Sequence, residues 1–279
     1  MKIPFTKMHG AGNDYVYVNG FEVKIPDPAA VARAMSPRRK GIGSDGLILI
    51  QPSTVADARM EMYNADGSRG EMCGNGIRCV GKYVYESGIA RHNPLRVETD
   101  AGIKTLELEI EDGKVESATV DMGEPVLEPG RIPVRAEGLR IVDAPLRVDG
   151  NDYRVTCVSM GNPHCVVFLP DVAGLELERL GPRFENHEMF PQRVNTEFVQ
   201  MLGRGEARMR VWERGSNETA ACGTGACAVA VAGVLTGRSD RRLVVHLNGG
   251  DLEIEWRESD GHVTMRGNAV EVFRGEIEV

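Results

Sequence analysis

The chain carries its own pattern twice. The residues around Cys73 recur around Cys222 at a step of 222 − 73 = 149, and the same step carries Gly12-Asn13 onto Gly161-Asn162, Gln51 onto Gln200, Met60 onto Met209, Gly74 onto Gly223, Gly76 onto Gly225 and Gly88 onto Gly237. A single register held over so many positions dictates that whatever one half folds into, the other folds into again. A chain of 279 residues gives each half roughly 120 to 150 residues, enough for a core of its own. The Gly- and Pro-rich stretch from Gly123 to Pro133 reads as a linker near the boundary.

At the centre of each repeat a loop of small residues leads into Cys-Gly-Asn/Thr-Gly and then an apolar run. This predicts helices over about Gly74 to Glu86 and Gly223 to Thr236, each stopped by glycine at Gly88 or Gly237. The second is Ala, Cys, Val and Gly on every face, so it must be enclosed on all sides. Strand-like alternation dominates the rest: Tyr15 to Val18, Leu47 to Gln51, Ala58 to Asn64, Leu106 to Ile110 and Val115 to Asp121 in the first half. The second half repeats it at Tyr153 to Val158, Cys165 to Leu169, Glu197 to Leu202, Ala207 to Glu213, Leu243 to Leu247, Leu252 to Trp256 and Val270 to Ile277. Shorter helices are expected after Asp27-Pro28, an N-cap acid with a first-turn proline, and around Leu175 to Asn186. The expected fold is therefore α/β of the α+β type. Two pseudo-symmetric domains each wrap a curled, mainly antiparallel sheet around a central helix, with an active site between them.

Composition narrows the class. With 42% hydrophobic and 27% charged residues the chain is globular in kind, and its formal charge of −8 argues against a nucleic-acid partner. The amino-terminal MKIPFTKMHG lacks the apolar run of a secretory signal, and the apolar run Ala226 to Leu235 is far short of a membrane span, so a cytoplasmic protein with no membrane partner is expected. Six cysteines without Cys-x-x-Cys spacing suit neither a disulfide scaffold nor a metal site.

The chemistry follows from where two of those cysteines stand. A helix amino terminus presents unpaired N–H groups and a partial positive charge, which hold an anion and favour a thiolate. Glycines at 74, 76, 223 and 225 let backbone amides approach a ligand closely. Two such termini facing one cleft would hold an amino-acid carboxylate with its α-carbon between two sulfurs. One would take the α-proton as thiolate and the other deliver a proton from the opposite face as thiol, which inverts the centre. No lysine lies in a cysteine-bearing loop to hold pyridoxal phosphate, so the expected route uses no cofactor.

These residues belong to longer stretches: Met8-His9-Gly10-Ala11-Gly12-Asn13-Asp14, Asn64-Ala65-Asp66-Gly67-Ser68, Glu71-Met72-Cys73-Gly74-Asn75-Gly76-Ile77-Arg78-Cys79, Gly161-Asn162-Pro163-His164, Glu213-Arg214-Gly215 and Ala221-Cys222-Gly223-Thr224-Gly225-Ala226-Cys227. In them the chain resembles the diaminopimelate epimerases over nearly its whole length. The resemblance implies cofactor-independent interconversion of LL- and meso-diaminopimelate, on the route to lysine and peptidoglycan. It implies domains of 1–122, completed by 268–279, and 123–267, and a homodimer. It makes Cys73 and Cys222 the acid/base pair, with Gly74-Asn75 and Gly223-Thr224 holding the reacting carboxylate. Asn13, Asn64, Asn162, Asn195, Glu213 and Arg214 match substrate-binding positions, and His164 with Glu213 match those that tune the thiols. Two departures stand out: Gly46 replaces a frequent glutamine, and Asn217 a usual glycine, a place asparagine tolerates through its ease in the left-handed region.

Plainer readings apply elsewhere. Cys79, Cys157, Cys165 and Cys227 are expected in the core. Gly41 to Gly46 fits G-x-G-x-x-G but precedes a strand, so it is a turn and not a dinucleotide site. His9, His92, His187, His246 and His262 read as surface or capping residues, and Arg78 as a solvated helix residue. A proline or hydroxyproline racemase of similar fold and a thiol redox module are the competing functions.

Overall fold

Strands dominate because one face of nearly every extended run is apolar. In β1 (Lys2–Gly10) Ile3 and Phe5 turn inward between exposed Lys2 and Pro4, and in β4 (Ala58–Asn64) Ala58, Met60 and Met62 do the same. The computed structural model describes residues 1–279, which divide into two compact units, Met1–Asp121 with Arg266–Val279, and Met122–Met265.

The first unit also contains β2 (Asn13–Asn19), α1 (Pro28–Met35), β3 (Gly46–Gln51), β5 (Arg69–Gly70), α2 (Gly74–Glu86), β6 (Leu95–Thr99), β7 (Gly102–Glu111) and β8 (Lys114–Gly123), which ends at the boundary. The second holds β9 (Ala144–Val148), β10 (Asn151–Ser159), β11 (Pro163–Phe168), α3 (Leu177–Glu185), β12 (Asn195–Gly203), β13 (Glu206–Glu213), β14 (Asn217–Thr219), α4 (Gly223–Leu235), β15 (Arg242–Leu247) and β16 (Gly250–Trp256). After β17 (Val263–Asn268) the chain ends in β18 (Val270–Glu278), which belongs to the first unit.

Pairing shows the duplication as topology. In the first unit β1·β2 is antiparallel, β2·β3 parallel, β3·β4 antiparallel, β4·β6 parallel and β6·β7 antiparallel. In the second, β10·β11, β11·β12, β12·β13, β13·β15 and β15·β16 repeat that order of directions. A parallel pair needs a crossover. The helices supply it in both units: α1 or α3 at the first parallel junction, α2 or α4 at the second. The step of 149 carries the bounds of α2, 74 and 86, onto those of α4, 223 and 235.

Each central helix lies in the curl of its own sheet. α2 packs against β1, β2, β4, β6 and β7, and α4 against β10, β11, β12, β15 and β16. The residues Gly225 to Gly233 of α4 are all buried, as its uniformly apolar sequence requires. The amino terminus of α1 is capped by Asp27, whose carboxylate accepts the Ala30 N–H at 2.9 Å.

Two expectations are corrected. The segment Gly123 to Pro133 is no free linker: Val126 bridges Ser159, Pro129–Arg131 forms a 3₁₀ turn, and Ile132 enters the core of the second unit. Burial of Ile132 and Val134 anchors it. The sequence pattern also does not show β1, β6, β9, β17 or the short β5 and β14. In β1 the obstacle is Pro4, tolerated because β1 pairs with β18 from Lys2 but with β2 only from Thr6, so the proline sits where the strand has a neighbour on one side only. No helix is long and apolar enough to cross a membrane.

Candidate active site

Strand direction gathers the expected site residues at one end of each sheet. In the first unit, Asn13 opens β2, Gly46 opens β3 and Asn64 closes the antiparallel β4, where the chain turns toward Cys73 at the start of α2. In the second, Asn162 precedes β11, Asn195 opens β12, Glu213 closes β13 and Cys222 starts α4.

Cys73 is the N-cap of α2. Its sulfur accepts the Gly76 N–H at 3.3 Å and donates to Asn13 Oδ1 at 3.0 Å. Asn13 is held from behind, because its Nδ2 donates to Asp45 at 2.7 Å while Asp45 also accepts from Arg38 at 2.8 Å. That chain fixes the amide so that its oxygen faces the thiol. Asn64 donates to Ser68 Oγ at 2.9 Å, and buried Asn75 accepts from Arg78 at 3.0 Å.

Arg78 overturns the reading of a solvated helix residue. It is fully buried and donates to Gly74 O at 3.2 Å, Asn75 Oδ1 at 3.0 Å and Asn268 O at 3.1 Å. It thus ties the Cys73-Gly74-Asn75 turn to the end of β17. Three carbonyl acceptors converge where no apolar side chain could satisfy them.

Cys222 occupies the equivalent N-cap, but its surroundings differ. The thiol is 5% exposed, makes no side-chain cap bond, and lies 3.5 Å from Thr224 Oγ1. Burial first, then the charges of Glu213 and Glu197, push its pKa well above the ordinary cysteine value, against the opposing pull of the nearby Thr224 hydroxyl and Gly225 N–H. The helix terminus therefore lends the expected pull toward thiolate, but desolvation and two carboxylates outweigh it. Glu213 in turn is raised by burial, accepts from the Thr219 hydroxyl and hydrogen-bonds Cys222.

His164 is fully buried between two oxygens. Nδ1 is 2.7 Å from Glu197 Oε1 and Nε2 is 2.9 Å from Asn162 Oδ1. Asn195 donates to Pro163 O at 3.0 Å and accepts the Arg214 N–H at 2.8 Å, which ties the two strand ends together. The Arg214 guanidinium donates to Gln192 O at 3.1 Å. Asn217 has φ +63°, in the left-handed region, as its substitution for glycine requires. The ligand-type atoms of His164, Glu197 and Cys222 lie within 4.8 Å of one another. Both imidazole nitrogens are already engaged, so the group reads as a charge network and not as a metal cradle.

Two residues at the site carried no motif. Glu197 is one. The other is Tyr15, which the step of 149 sets opposite His164. Its ring fills the place that Gly46 leaves, with Tyr15 Cε1 3.0 Å and the Tyr63 carbonyl oxygen 2.1 Å from where a Cβ at position 46 would stand. Burial, and then the neighbouring Cys73, push the Tyr15 hydroxyl well above its ordinary value, against the pull of Asn13. No side chain fits at 46 on this backbone. Gly46→Ala is accordingly expected to cost at least about 2 kcal/mol in urea denaturation, since the clash is with backbone that cannot rotate away; unchanged stability would contradict the geometry.

The family model described as diaminopimelate epimerase matches residues 5–128 and 156–272. The chain belongs to the diaminopimelate epimerase family. It is 58% identical over 282 residues to the diaminopimelate epimerase of Agathobacter rectalis, covering 99% of both chains, and 56% identical over 275 residues to that of Acetivibrio thermocellus, covering 99% of this chain and 98% of the other. The diaminopimelate epimerase of the archaeon Methanococcus maripaludis is 52% identical, with 99% of each chain covered. Among solved structures, a hydroxyproline epimerase from Agrobacterium vitis superposes with TM-score 0.68 at 18% identity, covering 99% of this chain and 91% of that one. A PhzF-family protein from Bacillus anthracis gives TM-score 0.68 at 17% identity with both chains fully covered. At those identities the likeness is one of fold, and diaminopimelate epimerases share it with enzymes of other names.

Proposed function

We propose that the protein interconverts LL- and meso-2,6-diaminopimelate without a cofactor, and that Cys73 and Cys222 are its two acid/base groups. The observation that carries this reading is the placement of each thiol as N-cap of a topologically equivalent helix, α2 or α4. First-turn N–H groups lack intrahelical acceptors and suit a carboxylate. Gly74-Asn75 and Gly223-Thr224 hold the reacting carboxylate there. One thiolate takes the α-proton, the C–H electron pair passing into the carbanion, and the other thiol gives its proton to the opposite face. Each turnover leaves the two sulfurs with exchanged protonation, and the reverse turnover restores them. Aligned amides stabilise the carbanion by about 3 to 4 kcal/mol per donor.

Asn13, Asn64, Asn162, Asn195, Glu213 and Arg214 bind the rest of the substrate. A carboxylate such as Glu213 suits the distal ammonium and the guanidinium of Arg214 the distal carboxylate. Holding the far end positions the near end, so remote contacts add to rate. His164 and Glu213 tune the thiols. The same reading gives a cytoplasmic homodimer. Purified protein should bring LL-diaminopimelate to a mixture with the meso form and leave L-proline and trans-4-hydroxy-L-proline unchanged. Turnover of proline without turnover of diaminopimelate would overturn it.

A further inference from the structure

The internal duplication supplies a control for one side chain. Position 48 in the first unit corresponds to position 197 in the second, by 197 − 48 = 149. In the first unit Ile48 fills the space against Gly76, with its Cδ1 2.7 Å from where a Cβ on Gly76 would stand. In the second unit Glu197 fills the same space against Gly225, with Oε1 2.6 Å from the equivalent point and Cys222 Sγ 3.2 Å from it. An apolar residue therefore suffices for packing at this place in the fold. A fully buried carboxylate there is costly unless its charge is used.

What surrounds it shows the use. Glu197 Oε1 meets His164 Nδ1 at 2.7 Å, while Oε2 is buried without a hydrogen-bond partner. The other ring nitrogen of His164 meets the side-chain oxygen of Asn162. An oxygen at each ring nitrogen fixes the orientation of the imidazole. Asn162 is a proposed substrate contact, so the ring connects the buried carboxylate to the site itself. The charged or titratable groups around Cys222 are Glu197 on β12, Glu213 on β13 and His164 on β11, and Glu197 also bears on the Cys165 thiol of β11.

We propose that Glu197 is a positioning residue for Cys222, fixing the His164 ring between itself and Asn162 and holding a fixed negative charge beside the thiol. The first unit has no counterpart, since Ile48 stands in its place and Tyr15 in that of His164. The two equivalent thiols are thereby made unequal, and Cys222 is the one held more firmly in its protonated form. This rests on the proposed pairing of the two thiols, but the alkylation measurement that decides it needs no substrate.

In Glu197→Gln, which keeps the acceptor and removes the charge, alkylation of Cys222 by iodoacetamide, followed by peptide mass spectrometry from pH 6 to 10, should shift to lower pH. Its kcat should fall about tenfold with KM nearly unchanged. Glu197→Ile, the side chain used by the first unit, also leaves the buried His164 nitrogen without its acceptor, so it should lose stability as well as further kcat. A Glu197→Gln alkylation profile that superposes on wild type would overturn the proposal. That result could occur with diaminopimelate turnover intact, whereas absence of turnover in wild type would strike the functional reading instead.

Discussion

Replacing either Cys73 or Cys222 by alanine is expected to lower kcat in both directions by on the order of 10³-fold or more, with the fold unchanged. Each sulfur serves as base in one direction and acid in the other, so loss of one blocks the cycle whichever way it runs. The double variant should be no slower than either single one, because groups that act as a unit are not additive. Folding should survive for different reasons at the two sites. Cys73 is partly exposed, and alanine there loses the bonds to Asn13 and the Gly76 N–H. Cys222 is buried but makes no side-chain cap bond, so alanine mainly opens a small void. Circular dichroism with a chiral assay of LL and meso product separates activity from folding. A single variant that retains a tenth of wild-type turnover would refute the assignment of that residue.

The second large effect is one of stability. Arg78→Met should destabilise the protein by about 3 to 5 kcal/mol, because a buried cation that serves several acceptors is removed and those acceptors stay behind. Gly74 O, Asn75 Oδ1 and Asn268 O all lose a donor. Methionine fills much of the volume, so the loss reports hydrogen bonding and charge more than a cavity. Lysine should rescue only part of it, since a single ammonium lacks the planar fork that spans separated carbonyls. Because Asn75 and Gly74 lie in the turn beside Cys73, KM should also rise in protein that remains folded. Urea midpoints for the three proteins measure the effect, and a change under 1 kcal/mol for Arg78→Met would show that the buried guanidinium is not what holds the turn.

The duplication made most of the architecture legible. The register of 149 located both central helices from Cys73 and Cys222, and the all-apolar sequence of α4 foretold that a sheet would enclose it. The expected site residues Asn13, Asn64, Asn162, Asn195, Glu213 and Arg214, all but Asn195 within quoted motifs, lie at the sheet ends where α2 and α4 begin. What escaped has definite causes. Strand β1 was hidden by Pro4, whose usual meaning is a break and whose tolerance depends on which neighbours the strand has. Arg78 looked solvated because a charge on a helix usually is; the carbonyl of Asn268 that helps hold it comes from 190 residues away. Glu197 and Tyr15 stand in the sequence only as the first residues of strand-like runs, with nothing around either to mark it. The signal for both was available in the repeat, where a carboxylate stands opposite Ile48 and a tyrosine opposite His164. Differences between the halves, not only their likenesses, mark where function departs from packing.

The two-thiol claim is tested most directly by one early-turnover experiment in deuterium oxide with unlabelled LL-diaminopimelate. If separate sulfurs remove and deliver the proton, the meso product carries solvent deuterium at the inverted carbon from the first turnover, while the remaining LL pool is still unlabelled. Meso product that keeps the hydrogen of the substrate would mean a single group works both faces, and the account would fail.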